Sequence, residues 1–172
     1  IKDWQAGVDK TLKVASYRGW EAPHQSLWEH DDDVLIRNFK PSEGGQMLIY
    51  LCTDPAKFAT PTDKATVVPD GYEEMGALPV TQGYIAAMGY GLGYTFPSDT
   101  TGGASNKNYC DHFWRQTVTD DNGLDGWYQL LSCVSANDSE GAGVRGAYAN
   151  NRGANTNTNY GFPLNHLRFS LM

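Results

Sequence analysis

Apolar residues come in short runs along this chain, and glycine- and proline-rich segments separate the runs. Segments 34–39 and 46–53 are strongly apolar, and segment 40–45 between them holds one proline and two adjacent glycines. Because these residues suit turn dihedral angles, the three segments predict a β-hairpin. Segment 127–134 predicts another strand, and the alternation of apolar and polar residues over 167–171 predicts a closing strand.

The remaining segments predict a helix and long connections. Apolar residues at positions 4, 8, 12 and 15 fall at helical spacing, which predicts a short amphipathic helix. Residues 54–82 contain four prolines, so we expect an irregular connection with at most one helical turn. Residues 83–90 suit a strand or a short helix, and residues 91–108 indicate a loop. The short segments, the 19 glycines and the low charge content predict an α+β or mostly β fold. Of the two, α+β is favoured, with short antiparallel strands, long irregular loops and one or two short helices.

Length, composition and charge exclude several classes of protein. The length of 172 residues suits a single domain over 1–172, and 40% hydrophobic residues supply a core. The net charge of −7, without a cluster of Lys or Arg, argues against nucleic acid and anionic membranes as partners. No apolar run approaches the roughly 18–20 residues that a membrane span needs. Because the chain starts at Ile1, we expect it to be a piece of a longer or processed protein.

Four sequence patterns resemble chemical sites, and a structural interpretation is favoured for each. Residues 89–93 have the spacing GxGxG instead of the nucleotide-binding GxGxxG, which indicates a loop. The acidic segments 29–33 and 137–140 are better explained as solvated turns than as Ca²⁺ sites. Cys110 and His112 are too close in sequence to form a catalytic pair by themselves. The prediction is therefore a non-enzymatic protein with no metal site and no cofactor.

The three cysteines do not predict a disulfide framework or a metal site. Cys52, Cys110 and Cys133 allow at most one disulfide, and none has the spacing of a metal ligand set. Buried thiols are the favoured interpretation, because free cysteine behaves as a small buried hydrophobe.

A polar segment near the end of the chain suggests a binding surface. Half of the ten residues from 150 to 159 are asparagine, and several alternate with threonine. These side chains hydrogen bond well but contribute little apolar area to a core. The pattern is typical of a rigid scaffold that presents a polar face to a partner.

Three segments of the chain resemble a known family in their order and spacing. Segment 102–114, with the sequence GGASNKNYCDHFW, resembles the GG-x-S-x-x-x-YCD-x-x-W segment of variable proteins that retroelements diversify in phages and bacteria. An apolar strand over 127–134 follows, and then an asparagine-rich stretch that ends in a closing motif, here at 160–164. The resemblance covers roughly the last 70 residues.

The resemblance implies a C-type-lectin-like fold that holds variable residues on a stable framework. It implies a receptor-binding, host-attachment domain at the tip of a phage tail fibre, located in the virion or on an extracellular surface. The alternatives are a structural virion protein of a fibre, decoration or baseplate, a bacterial surface adhesin, and an enzyme that degrades surface polysaccharide. The implied partners are a host cell-surface protein or glycan and other virion subunits, with the chain forming a homo-oligomer such as a trimer.

The same resemblance assigns the binding face residue by residue. Tyrosine offers a large rigid contact and asparagine supplies adaptable hydrogen bonds, as in other recognition surfaces. The ligand-binding residues predicted by position are Ser135, Val144, Gly146, Tyr148, Asn151, Asn155, Asn157 and Asn159.

Overall fold

The computed structural model describes residues 16–17, 20–21, 28–62, 64–97, 101–104, 112–132, 147–152 and 160–161. These residues form twelve β-strands and two 3-10 helices of three residues each. The strands are β1 Ser16–Tyr17, β2 Trp20–Glu21, β3 Trp28–Asn38, β4 Met47–Leu51, β5 Glu73–Ala77, β6 Gly83–Tyr84, β7 Met88–Gly91, β8 Tyr94–Pro97, β9 His112–Arg115, β10 Gly126–Ser132, β11 Ala147–Asn151 and β12 Tyr160–Gly161. The 3-10 helices are Pro41–Glu43 and Pro55–Lys57.

One large mixed sheet organises these strands and curls into a half-barrel. Its strand order is β5-β4-β3-β10-β11-β9-β6, and β12 pairs with β3 outside this path. Most neighbours are antiparallel, whereas β11 runs parallel to β9, and β12 runs parallel to β3. Strands β7 and β8 form a separate two-stranded sheet. Strand β11 therefore lies between β10 and β9, near the middle of the sheet and not at its edge.

Alternation along the strands divides the apolar side chains between two clusters. On one face of the sheet lies the main core, which comprises Ile36, Met47, Ile49, Leu78, Ile85, Phe96, Phe113, Tyr128, Ala147 and Ala149. On the other face, here called the second face, lies a second cluster of Leu35, Tyr50, Cys52, Tyr72 and Trp127. Successive side chains of a strand point to opposite faces, so adjacent Leu35 and Ile36 enter different clusters. Burial of each large side chain stabilises the fold by about 1.5–3 kcal/mol.

The predicted α+β class is wrong, and with it the C-type-lectin-like architecture that the resemblance implied. Nearly all of the regular secondary structure in the described residues is β, with 48% strand, 6% helix and no helix of seven or more residues. The physical reason lies in segments that carry no strand signal of their own. Strand β5 forms because the exposed backbone of β4 pairs with it, with Ile49 opposite Gly76. Tertiary pairing thus overrides a local composition that indicates irregular chain.

The first predicted hairpin is confirmed. Val34–Leu51 and Asn38–Met47 are paired positions of antiparallel β3 and β4. The predicted turn between them holds the 3-10 helix, followed by Gly44 and Gly45 at φ of 102° and 63°. Such positive φ angles are open to glycine at little steric cost. The predicted strand over 127–134 corresponds to β10.

Other predictions differ from the structure or lie outside the described residues. The 54–82 segment has its one helical turn at Pro55–Lys57, but it also contains β5. The predicted loop over 91–108 contains β8, so residues 89–93 belong to a β-hairpin. The predicted helix around positions 4–15 and the predicted strand over 167–171 lie outside the described residues.

Candidate functional site

Strand β9 has a buried core residue on one face and half-buried rings on the other. Phe113 is fully buried in the main core, packed with the small side chains of the neighbouring β11. His112 and Trp114, on either side of it in sequence, therefore point to the second face. Strand β11 repeats the arrangement, with Ala147 and Ala149 in the main core and Tyr148 on the second face. The main core thus fixes the backbone from which the second-face side chains project.

Four rings line up across β6, β9 and β11 on the second face, and together they are called the aromatic row: Tyr84, His112, Trp114 and Tyr148. The ring centroids of neighbours are 5.0 Å apart for Tyr84 and His112, 4.3 Å for His112 and Trp114, and 4.2 Å for Trp114 and Tyr148. All four side chains are half-buried. Centroid separations of this size are typical of attractive aromatic pairs.

The packing of the aromatic row makes it rigid. The planes of Trp114 and Tyr148 are tilted by 30°, so these two rings stack largely face to face. Both pack on Leu131 of β10, which is fully buried. Because each ring limits the rotamers of the next, the row holds Tyr148 in place before any partner binds.

His112 is the electrostatic exception in the row. Its imidazole lies between the rings of Tyr84 and Trp114, and its Nδ1 is buried without a hydrogen-bond partner. Burial lowers the pKa of His112 below its ordinary value of 6.5. Burial favours the neutral imidazole, since protonation would place a charge among apolar rings.

A polar cluster continues the second face beyond the aromatic row. Asn151 is the cross-strand partner of Gln129. Gln129 is buried and donates from Nε2 to Oδ1 of Asp32 at 2.7 Å. Asn151 donates from Nδ2 to Oδ1 of Asn150, also at 2.7 Å. Amide groups therefore lie next to the rings on the same face.

An irregularity in the sheet brings the amides to this position. The register between β10 and β11 shifts between Gln129 and Leu131. A bulge of this kind places an additional residue on one strand and redirects its side chains. Arg152 fixes the end of β11, because its guanidinium donates to the backbone oxygens of Trp127 and Asp125 at 3.0 and 3.2 Å. The same guanidinium lies 4.2 Å from the ring centroid of Tyr128.

The structure describes two of the eight predicted ligand-binding residues, and it places both on β11. Tyr148 is part of the aromatic row, and Asn151 belongs to the polar cluster three positions further along the strand. The other six predicted residues lie outside the described part of the chain: Ser135, Val144, Gly146, Asn155, Asn157 and Asn159.

Sequence reasoning missed the other rings of the row. Tyr84, His112 and Trp114 come from two strands that are distant from β11 in sequence. The signal that could have found two of them is the sequence His-Phe-Trp over 112–114, whose alternation on a strand puts both outer rings on one face. Their position beside Tyr148 depends on the parallel pairing of β9 with β11, which sequence does not reveal.

The alternative chemical sites gain no support from the described residues. Within the ranges that the structure covers, no group of three or more His, Cys, Asp or Glu side chains could hold a metal ion. Cys52 is a buried free thiol, whereas Cys110 and Cys133 lie outside the described residues. Among the described helices, none has the length and apolar character needed to span a membrane.

Comparison with known proteins gives no match to any family model, curated protein or solved structure. The geometry of the second face is therefore the basis for a functional proposal.

Proposed function

We propose that this chain is a non-enzymatic receptor-binding domain that uses the second face around Tyr148 and Asn151. The host-attachment role at a phage tail-fibre tip follows from the sequence resemblance of segment 102–114. The geometry of β9 and β11 supports the choice of this face, because it brings Tyr148 beside Trp114. The lectin-like fold has no part in the proposal.

The observation that carries the proposal is the stacking of Tyr148 on Trp114 at 4.2 Å. Ordering a side chain on binding costs about 0.5–1.5 kcal/mol, and a ring that is already held by its neighbours avoids most of that cost. Tyrosine and tryptophan also dominate the energetics of many interfaces. The row therefore supplies an ordered aromatic anchor.

The polar cluster supports recognition in place of catalysis. Amides such as Asn151 donate and accept hydrogen bonds without changing charge. His112, the titratable ring of the row, has no hydrogen bond at Nδ1 that would orient it as a general base. Stacking and neutral hydrogen bonds are the interactions that this arrangement offers to a surface protein or glycan.

The proposal is tested by attachment of the fluorescently labelled 172-residue chain to a panel of bacterial strains and to a glycan array. We expect binding that falls at least about tenfold, roughly 1.4 kcal/mol, in Asn151→Ala and Tyr148→Phe variants. Tyr148→Phe keeps the ring stacked on Trp114 and removes only the hydroxyl, and the melting temperature of the variant checks that the fold is retained. Val67→Ser is the matched control, because Val67 is 76% exposed on a different part of the chain.

Two outcomes would overturn the proposal. Equal loss of binding in all three variants would place the contact elsewhere. Co-assembly with other virion subunits without attachment to any cell or glycan would favour the structural virion protein instead.

Diversification of the face is tested separately at the DNA level. We expect a near-identical repeat of the segment that encodes residues 134–161, next to a reverse transcriptase gene and with mismatches confined to template adenines. Absence of the repeat would indicate an adhesin of fixed specificity.

A further inference from the structure

The loop between β9 and β10 holds the only asparagine of the sequence that is followed by glycine, in the pair Asn122-Gly123. Both residues are exposed and lie outside the strands. In such a pair, the backbone nitrogen of the glycine can attack the side-chain carbonyl carbon of the asparagine and close a succinimide ring. Glycine favours this attack, because it has no Cβ atom that blocks the approach. The reactivity of the pair then depends on how the loop holds the two reacting groups.

The side-chain carbonyl of Asn122 is held in an Asx turn. Its Oδ1 accepts a hydrogen bond from the backbone nitrogen of Leu124 at 3.1 Å. Such a turn folds the side chain over the peptide bond that follows it, which contains the nitrogen of Gly123. When that nitrogen adds to Cγ, negative charge develops on Oδ1, and a donor already placed at this oxygen stabilises the charge. The backbone nitrogen of Leu124 therefore acts as an oxyanion-hole donor.

The backbone nitrogen of Gly123 is available for the attack. Within the residues that the structure describes, this nitrogen donates no hydrogen bond, whereas the carbonyl oxygen of the same residue accepts one from Lys64 at 2.8 Å. Beyond the adjacent residues, the nearest neighbour of a Cβ atom added to Gly123 would be Nζ of Lys64 at 3.9 Å, so the surroundings are open to water. A backbone nitrogen that is exposed in a loop exchanges its proton with solvent more readily than one in a strand.

We infer that Asn122 is a site of spontaneous self-modification, at which the fold assists loss of ammonia and hydrolysis to aspartate or isoaspartate. In the first step, a bond forms between the Gly123 nitrogen and Cγ of Asn122. The proton of that nitrogen passes through solvent to Nδ2, which leaves as ammonia when its bond to Cγ breaks. In the second step, water opens the ring at the side-chain carbonyl to give aspartate, or at the main-chain carbonyl to give isoaspartate. Water is the only co-reactant, and the step is independent of the proposed receptor site.

The reaction alters a loop that is tied to the covering of the second cluster. Nδ2 of Asn122 donates to the backbone oxygen of Thr117 at 3.0 Å, and both products lose this donor and carry a new carboxylate. Isoaspartate also lengthens the backbone beside Gly123, whose oxygen Lys64 binds. Lys64 precedes Ala65, which packs against the second cluster. The modification should therefore weaken the contact between the loop and segment 59–72.

The test is incubation of the 172-residue chain at neutral and mildly alkaline pH, followed by peptide mass spectrometry and by assay with a protein isoaspartate methyltransferase. We expect the mass change that marks exchange of ammonia for water at Asn122, at a rate that rises with pH, because the Gly123 nitrogen attacks after losing its proton. Asn38 is the internal control. It is fully buried and precedes a phenylalanine, so it should stay unmodified.

Two variants test the roles of the reacting groups. Gly123→Ala adds a Cβ atom beside the attacking nitrogen and should slow the reaction at least about tenfold. Because alanine is strained at the φ of 65°, the melting temperature of this variant checks that the fold is retained. Asn122→Gln keeps an amide but would have to close a larger ring, so it should stay unmodified.

The effect on the fold is measured on the separated products. Each event adds one negative charge to the net charge of −7, so anion exchange separates the modified chain from the unmodified one. The modified chain should melt at a lower temperature, and the isoaspartate form at a lower temperature than the aspartate form. Equal melting temperatures would overturn the proposed weakening of the contact with segment 59–72.

A synthetic peptide of residues 117–128 separates the contribution of the fold from that of the sequence. The peptide contains the same Asn122-Gly123 pair without a fixed hydrogen bond from Leu124. If the loop assists the reaction, the folded chain loses ammonia at least as fast as the peptide does under the same conditions. A folded chain that reacts more slowly than the peptide would overturn the inference, as would an undiminished rate in Gly123→Ala or equal modification of Asn38 and Asn122.

Discussion

The second face of the sheet is built differently in its two halves, although both halves share one main core behind them. Over β4, β3 and β10, the half called the covered half, the second cluster of Leu35, Tyr50 and Trp127 packs beneath residues of the 59–72 segment. Over β11, β9 and β6, the half called the ring half, the aromatic row supplies the packing. The second face is therefore packed by a covering segment in one half and by neighbouring rings in the other.

Hydrogen bonds accompany the apolar packing of the covered half. Trp127 donates from its indole nitrogen to the backbone oxygen of Ala65 at 2.8 Å. The hydroxyl of Tyr72 donates to the backbone oxygen of Asp32 at 2.7 Å and accepts from the backbone nitrogen of Ala59 at 3.1 Å. Buried polar groups with such partners stabilise a unique arrangement of the covering segment.

The ring half leaves a polar atom unsatisfied. The buried Nδ1 of His112 has no hydrogen-bond partner, and the side chains of the row are half-buried where Trp127 is almost fully buried. Local departures from good packing and hydrogen bonding are expected at functional sites. The difference indicates that the covered half contributes mainly stability and the ring half mainly recognition.

The largest expected effect comes from removing one tryptophan from each half. Trp127→Ala should lower the free energy of unfolding by about 3–5 kcal/mol, because it opens a cavity under the covering segment. Trp114→Ala should lower it by about 1–2 kcal/mol, since a half-buried ring mainly loses its aromatic pairs. Chemical denaturation of both variants gives the two values. Equal losses would show that the halves do not differ in stability.

A smaller effect should separate the two halves by pH. His112 has a lowered folded-state pKa, so the unfolded chain binds its proton more readily. The contribution of His112 is therefore fully present above the ordinary value of 6.5 and is lost as pH falls below it. In the covered half, the hydrogen bond from Lys64 lowers the pKa of Asp125 below 3.8, so that contribution is lost only at more acidic pH.

Melting temperatures measured from neutral to acidic pH should show both steps. His112→Phe keeps a ring in the row and should remove only the step that begins near pH 6.5. Asp125→Asn should make the step at lower pH smaller and leave the first unchanged, since the pKa values of Asp70 and Asp120 are also lowered and their contributions remain. An unchanged profile in His112→Phe would mean that the row tolerates a protonated imidazole.

The smallest expected effect concerns Arg37, a buried charged residue in the covered half. Arg37 is only 7% exposed, and one of its terminal guanidinium nitrogens is buried without a hydrogen-bond partner. Its charge lies near the ring centroids of Phe39 and Trp127, at 5.2 and 5.7 Å. Arg37→Met should raise the free energy of unfolding by up to about 1 kcal/mol, because removing a buried charge with one unpaired nitrogen outweighs the loss of weak cation–π contacts.

Denaturation of Arg37→Met beside Arg37→Lys provides the check. The lysine variant keeps a charge at the same place and should not gain stability. A marked loss of stability in the methionine variant would show that the guanidinium of Arg37 stabilises the second cluster in spite of its unpaired nitrogen.

Sequence patterns predicted correctly those strands and turns whose own residues favour the structure that they adopt. The β3–β4 hairpin follows from two apolar segments joined by Pro41 and the adjacent glycines, and the structure confirms it. Tyr148 was predicted as a binding residue from the resemblance, and its position in the aromatic row is consistent with that prediction without testing it. Strands β5 and β8 were missed, because their residues form strands only against partners supplied by the fold.

The order of residues 112–114 is sufficient to put Phe113 on one face of β9 and His112 and Trp114 on the other. An uncharged stretch over 75–98 is likewise visible in the sequence, since charge depends on residue type. The contact between Trp114 and Tyr148 depends on the folded sheet, because the parallel pairing of β9 and β11 joins residues distant in sequence. Pairing partners are selected by the whole sheet, and local residue patterns carry little information about that choice.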